Sequence, residues 1–162
     1  MRKKSARQSN SFGNELISAL TEENAHAGVD AAVKDLPVNL RGVRPRGLPH
    51  SAYQLLEHLR IAQWDIVEYA LNPKHNSPNF PEGYWPQSPE PPDAKAWDKS
   101  IAAIHADRER LVTAIKKSDL LAPIPHANQS LASKTILVID HNAYHVGQLI
   151  LLRRLLEVWP EK

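Results

Sequence analysis

The stretch HANQSLASKTILVIDHNAYHVGQLILLRRLLEVW, residues 126–159, contains no proline and decides the fold. Its apolar residues recur at spacings of three and four, which is the pattern of an α-helix. A proline inside a helix costs about 3 kcal/mol, so a long run of helix formers without proline predicts a helix. Ser130 and Ser133 are the candidate N-caps. Because apolar residues cover most of the circumference, we expect this helix to be the most buried one.

All 13 prolines lie outside this segment and outside three others, residues 11–36, 50–72 and 93–122. The second of these segments opens on Ser51 in the pattern S-A-Y-Q, which fits a capping box. Asp93 follows two prolines and is the N-cap candidate of the third. No segment alternates apolar and polar residues for long, so a sheet is not expected. The sequence therefore predicts an all-α fold with four helices.

The connections between these segments are residues 37–50, 73–92 and 123–125. Four helices with long connections predict a four-helix bundle with a long crossover loop. Residues 73–92 exceed the usual length of a connection between bundle helices, and such a loop is either functional or a linker. We expect an ordered cover packed on the helices, because a linker rarely contains aromatic residues. Those residues are Phe80, Tyr84 and Trp85.

Length and composition restrict the class of protein. A chain of 162 residues, 42% hydrophobic and 23% charged, fits one globular domain. The absence of cysteine excludes disulfides, thiolate metal sites and cysteine nucleophiles. No apolar run is long enough to span a membrane, and no apolar region follows the basic start MRKKSARQSN as it would in a signal peptide. We therefore expect a cytoplasmic protein without a membrane partner.

The basic charge of the chain is concentrated at its start. The formal net charge is +2, and residues 1–10 contain four basic residues and no acidic one, which leaves −2 on the rest. We predict a disordered basic tail over residues 1–10, followed by a single domain over residues 11–159. A domain with almost no net charge lacks the basic surface of a nucleic-acid-binding protein, so no nucleic-acid partner is expected.

Histidines are the residues most suited to chemistry here. Without cysteine, imidazoles and carboxylates remain as transition-metal ligands. His141 and His145 lie four residues apart, so both rings project from one face of the last helix. His58 lies near the middle of another helix. The three histidines together predict a metal site in the helical core. The alternative is that His141 and His145 are ordinary polar residues of a helix. Residue 142 is Asn, where a metalloprotease H-E-x-x-H motif requires Glu.

Other residues are weaker candidates for the surroundings of such a site. His26 and His126 could line the same cavity. Asp65 lies about 10 Å along the helix from His58, too far to orient it, but could hold a ligand from another helix or form an ordinary salt bridge with Arg60 or a lysine. Tyr144 and Gln148 share the face of the last two histidines and are candidates for contacts around the metal. The remaining histidines, which we expect at the surface, are His50, His75 and His105.

Two stretches, SAYQLLEHLRIAQWDI (residues 51–66) and DHNAYHVGQLILLRRLL (residues 140–156), resemble the DinB-like superfamily. The resemblance covers roughly residues 12–157. It implies a four-helix bundle with a long crossover and a metal triad that maps onto His58, His141 and His145. It further implies a divalent metal, typically nickel or zinc, in an open site completed by water. The superfamily includes metal-dependent thiol transferases and isomerases, but the resemblance does not imply a particular reaction.

Two functions remain open. The first is a metal-dependent enzyme acting on a small-molecule substrate, by hydrolysis or by transfer of a low-molecular-weight thiol. The second is a non-catalytic module, such as a metal-binding stress-related protein or a homodimer with a structural metal. Structural zinc sites have four ligands and are usually rich in sulfur, which three histidines do not match. The enzyme is therefore favoured. The sequence indicates no specific catalytic residue.

Overall fold

The computed structural model describes the backbone of residues 2–160 and the side chains of residues 11–160. Within that part of the chain there is no β-strand, only an isolated bridge between Pro123 and Ser130. More than half of the chain is α-helical, so the prediction of an all-α fold is confirmed. The helices are α1 (Arg2–Thr21), α2 (Val29–Val33), α3 (Ala52–Leu71), α4 (Ala96–Lys117) and α5 (Leu131–Leu155).

Four of the helices are long, and α3 packs against both α4 and α5. Helix α1 also packs on α4 and α5, and the short α2 packs on α5. The finer description, a four-helix bundle with a crossover between α3 and α4, stays a prediction. None of the helices in residues 2–160 combines the length and the hydropathy of a membrane-spanning segment.

The core consists of two apolar clusters with a polar layer between them. One cluster includes Leu56 of α3 and Leu149 of α5, and the other includes Val67 and Val138 of the same two helices. On α5, His141 and His145 lie between the members of the two clusters, whereas on α3 His58 lies within the first cluster, directly before Leu59. The fold therefore places the triad at the end of the first cluster that is nearer to the second.

Two of the predicted helix starts are confirmed. Ser51 forms both hydrogen bonds of a capping box with Gln54, and the Ser130 hydroxyl accepts from the backbone N–H of Ser133 at the start of α5. Asp93 is not the N-cap of α4. That position is Lys95, and the Asp93 carboxylate instead accepts from the Lys95 N–H in the preceding turn.

The segment 11–36 is not one helix. Helix α1 ends at Thr21, and α2 begins again at Val29, after an exposed polar connection. A hydrogen bond from the Gly28 N–H to the Glu23 carboxylate closes this connection, which competes with continuation of the helix. Helix α1 begins at Arg2, so its backbone continues through residues where the sequence predicts a disordered tail. The division between a tail at 1–10 and a domain at 11–159 stays a prediction.

Helix α5 is not the most buried helix, although apolar residues surround it. Most residues of α3 are buried, whereas only nine of the 25 residues of α5 are. A set of apolar side chains on one side of α5 points to solvent instead, because no other described element packs there. These side chains are Ile136, Leu137, Tyr144, Leu151 and Leu155.

Candidate metal centre

Two helices bring the three predicted metal ligands together. His58 comes from α3, and His141 and His145 come from successive turns of α5. Each histidine offers a ring nitrogen, and these atoms all lie within 4.8 Å of one another. His58 and His145 are 6% exposed, and His141 is partly buried. The predicted triad is therefore a cluster that could hold a metal ion.

The spacing of the nitrogens fits one small divalent ion. The Nε2 atoms of His58 and His141 lie 3.1 Å apart. Two imidazole ligands at 2.0–2.1 Å from a tetrahedral zinc ion would have nitrogens about 3.3–3.4 Å apart. The observed distance is slightly shorter than this. Imidazole ligands suit zinc, nickel, copper and iron, and a site of three histidines leaves at least one coordination position open.

Hydrogen bonds at the far side of two rings leave Nε2 available for a metal. The Nδ1–H of His58 donates to the main-chain carbonyl of Tyr84 at 3.0 Å, and the Nδ1–H of His145 donates to Oε1 of Gln148 at 2.8 Å. We assign the tautomers from these acceptors, which cannot themselves donate. Metal-binding histidines typically donate their second N–H in this way. The buried Nδ1 of His141 has no partner among the described residues.

Burial keeps the three imidazoles neutral. The pKa of His58 and of His141 is lowered to about 4, mainly by burial and to a smaller extent by the neighbouring histidines. Burial also lowers the pKa of His145, against the effect of its hydrogen bond to Gln148. Neutral imidazole is the form that binds metal, so at pH 7 no proton has to leave before an ion binds.

The loop between α3 and α4 covers His58 with an aromatic ring. Trp85 stacks on the His58 imidazole with ring centroids 3.8 Å apart and an angle of 1° between the planes. His50 stacks on the opposite face of Trp85 at 3.9 Å. The indole thus lies between a candidate ligand and a second histidine, and it shields one face of the site from water.

Asp65 holds this loop in place. Its Oδ2 accepts from the Tyr84 hydroxyl at 2.7 Å, and its Oδ1 accepts from Nε2 of His75 at 2.7 Å. Burial and the Asp65 carboxylate raise the pKa of Tyr84 to about 12, so the phenol remains a donor. Because the carbonyl of the same Tyr84 accepts from His58, Asp65 acts on His58 through the loop. The expectation that Asp65 would hold a ligand from another helix is wrong.

Further hydrogen bonds attach the loop to the start of α3. The Ser51 hydroxyl donates to the Pro89 carbonyl, and the Gln54 amide donates to the Pro86 carbonyl at 3.0 Å. The capping-box residues therefore have a second role, since they fix the helix end and the loop together. Trp85 lies directly beside one of these anchors and is positioned by it.

A series of hydrogen-bonded polar groups connects three of the long helices, α3, α4 and α5, next to the triad. The Asn142 amide donates to Oε1 of Gln63 at 2.8 Å, and the Gln63 amide donates to the Ile104 carbonyl at 2.7 Å. Gln63 is almost fully buried, so these bonds satisfy a side chain that would otherwise destabilise the core. These hydrogen bonds fix the rotation of α5 relative to α3, and with it the approach of His141 to His58.

The other candidate residues divide into near and distant ones. Gln148 and Tyr144 both contact His145, by a hydrogen bond and by an edge-to-face ring contact at 4.9 Å. His126 donates instead to the carbonyl of Tyr69, about 16 Å along α3 from His58. His26 is exposed in the connection between α1 and α2 and bonds only to its neighbour Ala27. Neither of these two histidines contacts the triad, although His26 lines a cavity together with Gln63 and Asn142.

Sequence reasoning missed two histidines. His50 and His75 were expected at the surface, yet His50 stacks on Trp85, and the side chain of His75 is only 6% exposed against Asp65. His105 was also expected at the surface, and its side chain, which bonds to Asp30, is 40% exposed. The aromatic residues of the loop were the only signal that neighbouring histidines could be covered.

The fold is all-helical, and helices α3 and α5 bring three imidazoles together. The protein is therefore a helical protein with a candidate metal site. The family model of the DinB superfamily matches residues 21–149, and the chain belongs to that superfamily. No curated protein and no solved structure shows a significant match to the chain.

Proposed function

We propose that this protein is a divalent-metal-dependent enzyme with a small-molecule substrate. The observation that carries the proposal is the convergence of three neutral imidazoles on one point. Zinc and nickel are the ions that we favour, because imidazole ligands suit both and the resemblance to the DinB-like superfamily implies one of these two metals. Such an ion would act as a Lewis acid on a water, a thiolate or a carbonyl oxygen in the open position.

The residues of the chain would hold and shield this site rather than take part in bond-making. The Tyr84 carbonyl and Gln148 orient two of the ligands, and Asp65 holds Tyr84. Trp85 excludes water from one face of His58, which strengthens electrostatic interactions inside the site. Asn142 bonds to Gln63 and cannot act as a general base. We therefore propose no side chain of the site as the group that transfers a proton.

Two reactions fit the site, transfer of a thiol and metal-assisted hydrolysis. The chain contains no cysteine, so a thiol nucleophile has to come from a low-molecular-weight thiol. Three neutral ligands leave a divalent ion its full charge, and this charge favours thiolate over thiol and hydroxide over water. Thiol transfer and hydrolysis are distinguished by whether the rate depends on added thiol.

Activity should depend on metal and on the triad. We expect protein purified without a nickel column and loaded with zinc or nickel to accelerate one of two probe reactions by at least about 10-fold, since metal Lewis acids stabilise transition states by several kcal/mol. The probes are 1-chloro-2,4-dinitrobenzene with and without glutathione, and 4-nitrophenyl acetate. Rates are followed by absorbance.

The matched controls are His141→Ala and His105→Ala, of which only the first removes a triad residue. We expect the first variant to lose the acceleration and the second to keep it. Equal rates with the metal-loaded protein, the metal-free protein and His141→Ala would contradict the proposal. That outcome would favour the alternative, a non-catalytic metal-binding module.

A further inference from the structure

A second cavity lies outside the candidate metal centre, among helices α1, α3, α4 and α5. Its volume is about 240 Å³, and the exposed connection between α1 and α2 forms its rim. No histidine of the triad lines it. An apolar cavity of about 150 Å³ is large enough to bind benzene, so this one has room for a small organic molecule. The apolar side chains of its wall are Leu20, Val29, Ile104, Ile139 and Val146.

One arginine of the wall forms no hydrogen bond with a described residue. Arg108 belongs to α4, and its side chain is only 23% exposed. Its Nη1 lies 3.6 Å from Oδ2 of Asp30, and its buried Nε has no partner among the described residues. A buried N–H group without an acceptor destabilises a fold, so an unpaired one in a native structure needs an explanation. A carboxylate in the cavity would give the guanidinium such an acceptor.

Two glutamates at the rim each have one oxygen that accepts no hydrogen bond from a described residue. Oε2 of Glu22 accepts from the Ser18 hydroxyl at 2.5 Å. Oε1 of Glu23 accepts from the Gly28 N–H at 3.1 Å. The second oxygen of each exposed side chain remains for a cation. Because both glutamates line the cavity that Arg108 also lines, groups suited to a cation and to an anion lie at one site.

This arrangement fits a ligand that carries both charges. A carboxylate alone would meet three acidic residues beside a single arginine, and the acidic residues would repel it. An amine alone would leave Arg108 without an acceptor. An α-amino acid holds an ammonium and a carboxylate close together, and it can also carry an apolar side chain. The three acidic residues are Glu22, Glu23 and Asp30.

We propose that this cavity is a binding site for a free α-amino acid with an apolar side chain. Arg108 binds the carboxylate, and Glu22 and Glu23 bind the ammonium. The apolar side chain packs between α4 and α5, where Ile104 and Val146 lie. Burial of this side chain favours binding, and the charge-assisted hydrogen bonds select the zwitterion.

The cavity shares two residues with the polar contacts beside the triad. Gln63 and Asn142 line it, and Asn142 directly follows the candidate ligand His141. An amino acid in the cavity therefore lies next to the hydrogen bond that fixes α5 relative to α3. The proposal does not rest on the proposed enzyme activity, because binding requires neither the metal nor a reaction.

Isothermal titration calorimetry of the full chain with L-leucine tests the proposal. Excess EDTA is present, so that the amino acid cannot bind through a metal at the triad. We expect saturable binding of a single molecule per chain. L-Leucinamide lacks the carboxylate and N-acetyl-L-leucine lacks the ammonium, so each should bind at least about 10-fold more weakly. Glycine should also bind at least about 10-fold more weakly, because it has no side chain for the cavity to bury.

Arg108→Gln should weaken the binding of L-leucine at least about 10-fold, because a charge-assisted contact is lost. Its helicity should be unchanged, since Arg108 forms only the long contact with Asp30 in the fold. Arg46→Gln is the matched control, because Arg46 is exposed and does not line the cavity. This variant should bind L-leucine like the parent. His141→Ala should also bind like the parent, which separates the cavity from the triad.

Three results would overturn the proposal. The first is no binding of L-leucine at millimolar concentrations. The second is equal affinity of the parent for L-leucine and L-leucinamide, which does not depend on the folding of any variant. The third is equal affinity of the parent and Arg108→Gln for L-leucine. None of these results would count against metal binding by the triad, so the two proposals fail separately.

Discussion

Alanine in place of His58, His141 or His145 should lower the affinity for zinc by more than about 100-fold. Loss of a residue that only orients a metal ligand costs 10–100-fold, and loss of a ligand itself costs more. All three nitrogens lie within 4.8 Å of one another, so the effects of the three variants should be similar. The measurement is competition with a chromophoric chelator, with each variant checked for helicity by circular dichroism.

His105→Ala is the matched control for these variants. His105 lies on α4 and bonds to the exposed Asp30, away from the triad, so its removal should leave the zinc affinity unchanged. Full affinity and stoichiometry in any one of the three triad variants would show that the corresponding histidine is not a ligand. If all three variants bind normally, zinc binds elsewhere on the chain.

Trp85→Ala should increase the rate at which a chelator removes the metal by at least about 10-fold. The indole is stacked on His58 and held beside it by the Gln54–Pro86 hydrogen bond. Its removal leaves one face of the ligand open to water and chelator, while the three ligand nitrogens remain. We therefore expect a larger effect on the rate of release than on the equilibrium affinity. Stopped-flow mixing with excess chelator measures this rate.

Phe80→Ala is the control in the same loop. Phe80 is 78% exposed and touches Tyr84 rather than a histidine of the triad, so the variant should release metal at the parent rate. Parent rates for Trp85→Ala would show that the loop does not limit access to the site. Equal acceleration in both variants would show instead that the loop responds as a whole to any loss of packing.

The all-α fold and the shared helix face of His141 and His145 could be predicted because both depend on local patterns. The positions of the 13 prolines separate the helical segments, and a capping box and an N-cap serine locate two helix starts. His141 and His145 share a helix face by their spacing alone. The distance of His58 from them in the chain says nothing about contact. It was predicted as the third ligand from its position near the middle of a helix, and the resemblance to a family supported that prediction.

The surroundings of the triad could not be predicted because they depend on tertiary contacts. The acceptor for His58 is a main-chain carbonyl, which every residue carries and no motif marks. The pairing of Asp65 with Tyr84 and His75 depends on the path of a loop whose prolines restrict it but do not specify it.

The misjudged burial of α5 has a different cause. Apolar residues on all sides of a helix predict complete burial within one chain. The side of α5 that contains Leu137, Tyr144 and Leu151 is nevertheless exposed. A sequence pattern does not show which sides of a helix other elements of the fold pack against, so this difference could not be predicted from the sequence.

The central claim is that three histidines hold one divalent ion in an open site. X-ray absorption spectroscopy of the zinc-loaded full chain tests it most directly, because the scattering of imidazole rings identifies and counts histidine ligands. We predict three imidazole nitrogens at about 2.0–2.1 Å and at least one further light ligand from water. A spectrum with fewer than three imidazoles, or with ligands made up mainly of carboxylate oxygens, would contradict the account.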